Sequence, residues 1–234
     1  MRLTELLALA VGCVVVTAGA RAASSAELAD LVARVDYGFY NGDARSIEVA
    51  RDALDRLADA PNVRYYRDYA ALRAAQLDPR DRSAVRACAE RDVAADLPPA
   101  AAAEAWILVA ACGVVGQQSA RRVEQALARA RGIDKRHPRV ALVEAWIARN
   151  AAAGDAAASE GLTAKLQQAV DAFGAWRAPP NAPDWGEPEA LAMLGELTLK
   201  RGETRAARDL IERALLLAPD YRFAVDLRAR LRGD

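Results

Sequence analysis

The side chains best suited to chemistry are few and scattered. His137 is the only histidine in 234 residues, and it stands in the stretch 132–137, GIDKRH. No acid or hydroxyl residue lies at a motif spacing from it, and one imidazole cannot build a zinc site with two distant cysteines. It is expected to be an exposed loop residue. The patterns G-x-S-x-G, H-E-x-x-H and G-x-x-x-x-G-K-[ST] are absent from the sequence. Acidic pairs such as Asp52/Asp55 and Asp78/Asp81 sit among arginines, as solvated helix faces do. The residues therefore name no catalytic group, no cofactor and no metal ligand, and the expectation is a protein that is not an enzyme.

Three cysteines remain to be placed. Cys13 lies in an apolar leader. Cys88 and Cys112 stay once the leader is removed, and in an exported chain an even pair invites a disulfide. They fall on neighbouring helical segments. With an antiparallel pair built on a Pro98-Pro99 turn, the residue level with Cys88 is near position 106. The offset of about six residues to Cys112 amounts to ~9 Å at the helical rise, beyond disulfide reach unless the helices are skewed. The alternative is two small, buried apolar side chains.

Residues 1–22, MRLTELLALAVGCVVVTAGARA, have the order of a secretory signal. The apolar run from Leu6 to Ala20 is too short to span a bilayer and suits an h-region. Ala20-Arg21-Ala22 offers an A-x-A cleavage site, with Ala18-Gly19-Ala20 as the alternative. A rival reading starts from Ala10-Val11-Gly12-Cys13, which is similar to a bacterial lipobox. It would put a lipid on Cys13 and hold an assembly or structural factor at the outer membrane. Against it, the apolar run continues through Val14, Val15 and Val16. The expected compartment is the bacterial periplasm or the exterior, with no membrane span in the mature chain. The Ala- and Arg-rich composition, with lysine only at Lys135, Lys165 and Lys200, fits a GC-rich bacterial genome.

Formal charge is +0, from 32 basic and 32 acidic residues. No basic face for nucleic acid emerges, and no Lys/Arg cluster marks a membrane surface. Alanine-rich composition and the scarcity of Val/Ile/Thr runs beyond the leader favour helix over sheet.

The elements that would position any site are helical hairpins. Ser24-x-x-Glu27 is a capping box, followed by Leu28, Val32, Val35 and Phe39 on one face. A second helix carries Ala50, Leu54 and Leu57, and Pro61 closes the unit. Tyr65, Tyr69 and Leu72 mark a third helix, and its partner runs through Cys88 to about Val93. Further pairs turn at Gly116-Gln117 and Gly154-Asp155. Residues 177–186, RAPPNAPDWG, form the longest irregular segment, and Asp184-x-x-Glu187 is expected to cap the next helix.

The stretch 187–221 is the clearest pair. Leu191, Leu194 and Leu197 line one helix, Gly202 ends it, and Ala207, Leu210, Ile211, Ala214 and Leu217 line the next. Leu191-x2-Leu194-Gly195, Ala207-x3-Ile211 and Pro219, twelve residues after Ala207, resemble the tetratricopeptide repeat. Leu191 replaces its usual Trp and Thr198 its usual Tyr. The resemblance implies a right-handed superhelical array of antiparallel hairpins over residues 23–234. There would be about five hairpins, the last at 187–218, and a capping helix at 220–232 with Phe223, Leu227 and Leu231 at a four-residue spacing.

It also implies a concave surface, lined by first helices, that binds another protein or a peptide. Tyr66 and Arg73, one step off the Tyr65/Tyr69/Leu72 stripe, are candidates for that surface. So is Trp185, which stands on a loop. The function expected on these grounds is a binding scaffold of the cell envelope.

The leader reading yields a direct expectation. Expressed with its leader in a bacterial host, the chain should be recovered with Ala23 as its first residue and no lipid mass, by intact-mass measurement. A mature chain that starts at an acylated Cys13 would replace signal cleavage with lipidation.

Overall fold

Small polar residues, glycines and prolines set the helix ends in the computed structural model, which describes residues 22, 24–80, 82–151, 156–179 and 182–233. The leader with Cys13 and the Gly154-Asp155 turn lie outside the described residues. Helix α1 (Ser25–Asn41) begins where Ser24 Oγ accepts a hydrogen bond from the Glu27 amide at 3.1 Å. It ends at Gly42, whose φ of 72° is the left-handed cap a glycine takes without strain. Asp43 then accepts from the Ser46 amide at 3.2 Å to start α2 (Ala44–Asp55). Helices α3 (Pro61–Leu77), α5 (Pro99–Val115) and α7 (Pro138–Ala151) each open on a proline, where a missing N–H costs nothing. Their partners are α4 (Ser83–Ala89), α6 (Ala120–Ile133) and α8 (Ala156–Ala175). Helices α9 (Glu187–Lys200) and α10 (Thr204–Leu217) form the next pair, and α11 (Arg222–Gly233) ends the chain.

The protein is thus all-helical among the described residues, with neighbouring helices packed in sequence order. No described helix is long and apolar enough to cross a membrane. Within pairs, glycine permits close approach. A methyl added at Gly38, Gly113 or Gly195 would lie 2.7, 2.8 or 2.9 Å from Ile47, Val123 or Ile211 on the partner helix. Three pairs therefore share the same small-against-branched crossing.

Burial divides the helices into two layers. Helices α2, α6 and α10 bury one stripe each: Ile47, Ala50 and Leu54; Val123, Ala126, Leu127 and Ala130; Ala207, Ile211, Ala214 and Leu215. Helices α3, α5, α7 and α9 bury residues around most of their circumference. The odd-numbered helices are the inner layer and pack on one another, α1 on α3, α3 on α5 and α5 on α7. At the far end α11 packs on α9 and reaches α1, and Phe39 and Tyr221 bring their rings to 6.3 Å. Side chains of α1, α3 and α9 also meet within the inner layer, where Tyr40 and Arg73 both reach Glu189.

Two expectations need revision. The second helix of the second pair stops at Ala89, short of Val93, and Arg91 just beyond it pairs with Asp68 on α3. Residues 91–94 are irregular, so a tight Pro98-Pro99 turn does not set the register of α4 against α5. Freed from that register, Cys88 sits level with the second half of α5, its sulfur 3.9 Å from the Leu108 carbonyl oxygen. The Cα atoms of Cys88 and Cys112 are 5.9 Å apart and their sulfurs are bonded. The ~9 Å offset expected from a level hairpin does not arise.

The bridge closes a loop with a sequence separation of 24, for which chain entropy gives a stabilisation of about 3 kcal/mol. The double variant Cys88→Ala/Cys112→Ala should lose that amount of unfolding free energy in urea titrations, and a reductant should shift the native protein but not the variant.

Candidate functional site

Sites on a helical array arise where side chains from several helices converge, and here the inner layer converges on two buried arginines. Arg73 on α3 has 0% of its surface exposed. Its Nη2 donates to Oε1 of Glu189 at the start of α9, its Nε donates to the Tyr69 hydroxyl at 3.0 Å, and its Nη1 donates to Gln76 at 3.0 Å. The guanidinium carbon stands 3.9 Å from the Phe39 ring centroid and 5.5 Å from that of Trp185. The second Glu189 oxygen accepts from the Tyr40 hydroxyl at 3.2 Å and from the Gly186 amide at 3.0 Å. Burial is the strongest influence and opposes the charge of Arg73, but Glu189, Tyr69 and Tyr40 together outweigh it and hold the guanidinium ionised.

Asp36 on α1 joins this network by accepting from the Tyr69 hydroxyl. Burial pushes its carboxyl up to about 6, in spite of that hydrogen bond and the nearby Arg73 charge. Burial also raises the Tyr69 and Tyr40 hydroxyls well above the ordinary tyrosine value. They serve as neutral donors.

The second arginine, Arg139 at the start of α7, donates from Nη1 to Glu104 on α5 at 2.7 Å. Its Nε donates to the Trp185 carbonyl at 2.8 Å and its Nη2 to the Pro183 carbonyl. It therefore anchors the segment between α8 and α9 inside the molecule. Trp185, 2% exposed, donates from its indole to the Tyr65 hydroxyl at 3.0 Å and lies 6.2 Å from Trp146. Gly186 next to it has φ 103°, and a Cβ there would strike Leu142 and Phe173 at 2.8 and 2.9 Å. Only glycine fits. Helix α9 is capped by Glu189 reaching back to the Gly186 amide, not by Asp184.

Several sequence candidates change place. Arg73 and Trp185, expected on a partner surface, are core residues, because the inner helices close on one another and desolvate both. Tyr66 is half-buried, edge-on to Tyr65 at 5.1 Å. His137 is 5% exposed: the α6–α7 corner turns inward and sets its Nε2 3.1 Å from Glu104, with its ring 5.0 Å from Trp176. Sequence reasoning missed Glu104 and Glu189 altogether. Their signal was an acid inside an apolar run, Ala103-Glu104-Ala105 and Pro188-Glu189-Ala190.

The opening that remains is a cleft of ≈1070 Å³. The second halves of α1, α3, α5 and α7 surround it, with the start of α6, Glu189 and Met193 of α9 and the entry to α11. Phe39, Trp146, Tyr221 and Phe223 give it aromatic walls, and Arg82, Arg149, Gln117 and Asn150 give it polar ones. A second cavity of ≈60 Å³ beside Asp68 and Arg91 is too small for a ligand. Among the described residues no three metal-ligating side chains cluster. No protein-family model, no curated protein and no solved structure matches the chain.

Asp36 gives a pH signature with a definite sign. Its folded value of about 6 lies above the ordinary aspartate value of 3.8, so the stability it contributes is complete below about pH 4 and is lost as pH rises through 6. Asp36→Asn keeps an acceptor for Tyr69 without the charge. The variant should gain stability relative to the native chain between pH 4 and pH 7, by on the order of 1–2 kcal/mol after discounting for partial exposure. Parallel chemical denaturation at the two pH values measures it.

Proposed function

We propose that this chain is a non-enzymatic binding module of the bacterial cell envelope that holds a segment of another protein in the cleft at the end of the inner helices. The observation that carries this reading is the cleft itself. Seven helices contribute to it, and its walls combine aromatic and polar side chains, the composition by which pockets combine affinity with orientation. The charged groups of the interior are spent on internal bonds, Arg73 with Glu189 and Arg139 with Glu104. They brace the walls of the cleft.

For the architecture we propose tetratricopeptide-type hairpins wound into a right-handed superhelix tight enough for α11 to reach α1. The shared crossing of Gly38, Gly113 and Gly195 on branched residues of the partner helix supports a repeat origin. So does the match of Leu191, Gly195, Ala207 and Ile211 to the repeat pattern. In so tight a winding the partner enters at the end of the inner layer, since the concave face is closed by Trp185 and the two arginines.

A photo-crosslinking residue at Ile147, which lines the cleft and is 36% exposed, tests the site in living cells against the same residue at Arg208 on the outer face of α10. A discrete crosslinked protein at Ile147 and not at Arg208 is the expected outcome. Identical adducts at both positions, or none at either, would end the proposal.

A further inference from the structure

The charges around the cleft do not balance internally. Glu124 is held by Arg131, both guanidinium nitrogens at 2.9 Å, and Glu189 is held by Arg73. Two cations are left over. Arg82, at the entry to α4, is half-buried, and its Nε is buried with no hydrogen-bond acceptor. Arg149, in the last turn of α7, is exposed and in no ion pair among the described residues. A buried N–H without an acceptor costs free energy that an incoming oxygen recovers.

One opposing field has to be weighed. Helices α1, α3, α5 and α7 end near the cleft, and helix carboxyl ends carry partial negative charge. In three of them backbone amides already cap the last carbonyls: Asp43 on Gly38, Asp78 on Ala74, and Gly116 on Cys112. A helix end is worth about 0.3–1 kcal/mol and fades within a turn, whereas a charge-assisted bond from a guanidinium to a carboxylate is worth about 1.5–3 kcal/mol. At contact distance the two free arginines prevail.

We infer that the cleft selects an extended peptide segment whose acidic side chains meet Arg82 and Arg149 while its aromatic or aliphatic side chains pack on Trp146, Phe223 and Tyr221. This inference rests on the cleft being the binding site, and it names the chemistry of the occupant. The charges it reads are those of side chains, so a chain terminus is not required.

The test uses the mature full-length protein and fluorescein-labelled hexapeptides, blocked at their far end, that alternate Glu or Asp with Phe or Leu. Their counterparts carry Gln or Asn in place of each acid. Anisotropy titrations should give at least tenfold tighter binding of the acidic peptide at low salt. Arg82→Gln and Arg149→Gln should each weaken it about fivefold and reduce its salt dependence, while thermal melts report that both variants fold. Equal affinity for acidic and amide peptides, or unchanged affinity in both folded variants, would overturn the inference and leave the cleft as a site for neutral segments. Binding of neither peptide also overturns it; the cleft itself then falls only if crosslinking at Ile147 captures nothing.

Discussion

A guanidinium taken wholly out of water survives only with a carboxylate, further acceptors and polarisable neighbours around it, and Arg73 has all three. Its partners come from α1, α3 and α9, with Arg73 and Glu189 separated by 116 positions in the sequence. Removing one member of such a pair leaves an unpaired buried charge, a loss on the order of 3–5 kcal/mol. The alternative of two apolar residues would fill the same space without fixing a direction. With the pair in place, the start of α9 is tied to the middle of α3, and Tyr40 ties α1 to the same carboxylate. The closure of the inner layer depends on that junction.

Arg139 does the corresponding work on the other side. It binds two carbonyls of the proline-rich connection, so a segment that cannot form helix still has its backbone acceptors satisfied inside the protein. Trp185 then fills the space beside Trp146 on α7, and Gly186 brings the chain into α9 through a backbone angle that other residues resist. The connection is thus part of the core. Its irregularity reflects what it packs against rather than freedom.

The buried bonds of the inner layer limit the surface it can offer. An open array offers the inner face of its first helices along its whole length. Here that face is occupied by the protein's own aromatic and charged side chains, and the recess left is the one at the end of the layer. Arg73 and Trp185 accordingly pass from candidate contacts to supports, while Arg82 and Arg149, which drew no notice as single arginines among many, become the groups left without internal partners.

The helices, most of their ends and their pairing follow from local sequence. Periodic leucines, alanine at crossings, Ser24 before α1 and Gly42 after it all act within a few residues, through hydrogen bonds and sterics that need no distant partner. It also carried the close approach at Gly195, since a small residue opposite Ile211 is a local requirement of one hairpin. Where each polar side chain on an inner helix finds its partner depends instead on how the helices pack together. The loop position of His137 and Trp185 suggested exposure, yet both are buried, because burial there depends on α5, α7 and α9 meeting. The same holds for Cys88 and Cys112: their distance along the chain says little until α4 is seen to end at Ala89. Pairings across a hundred residues are set by how the hairpins stack, and stacking is a sum over many weak contacts that no single spacing in the sequence records.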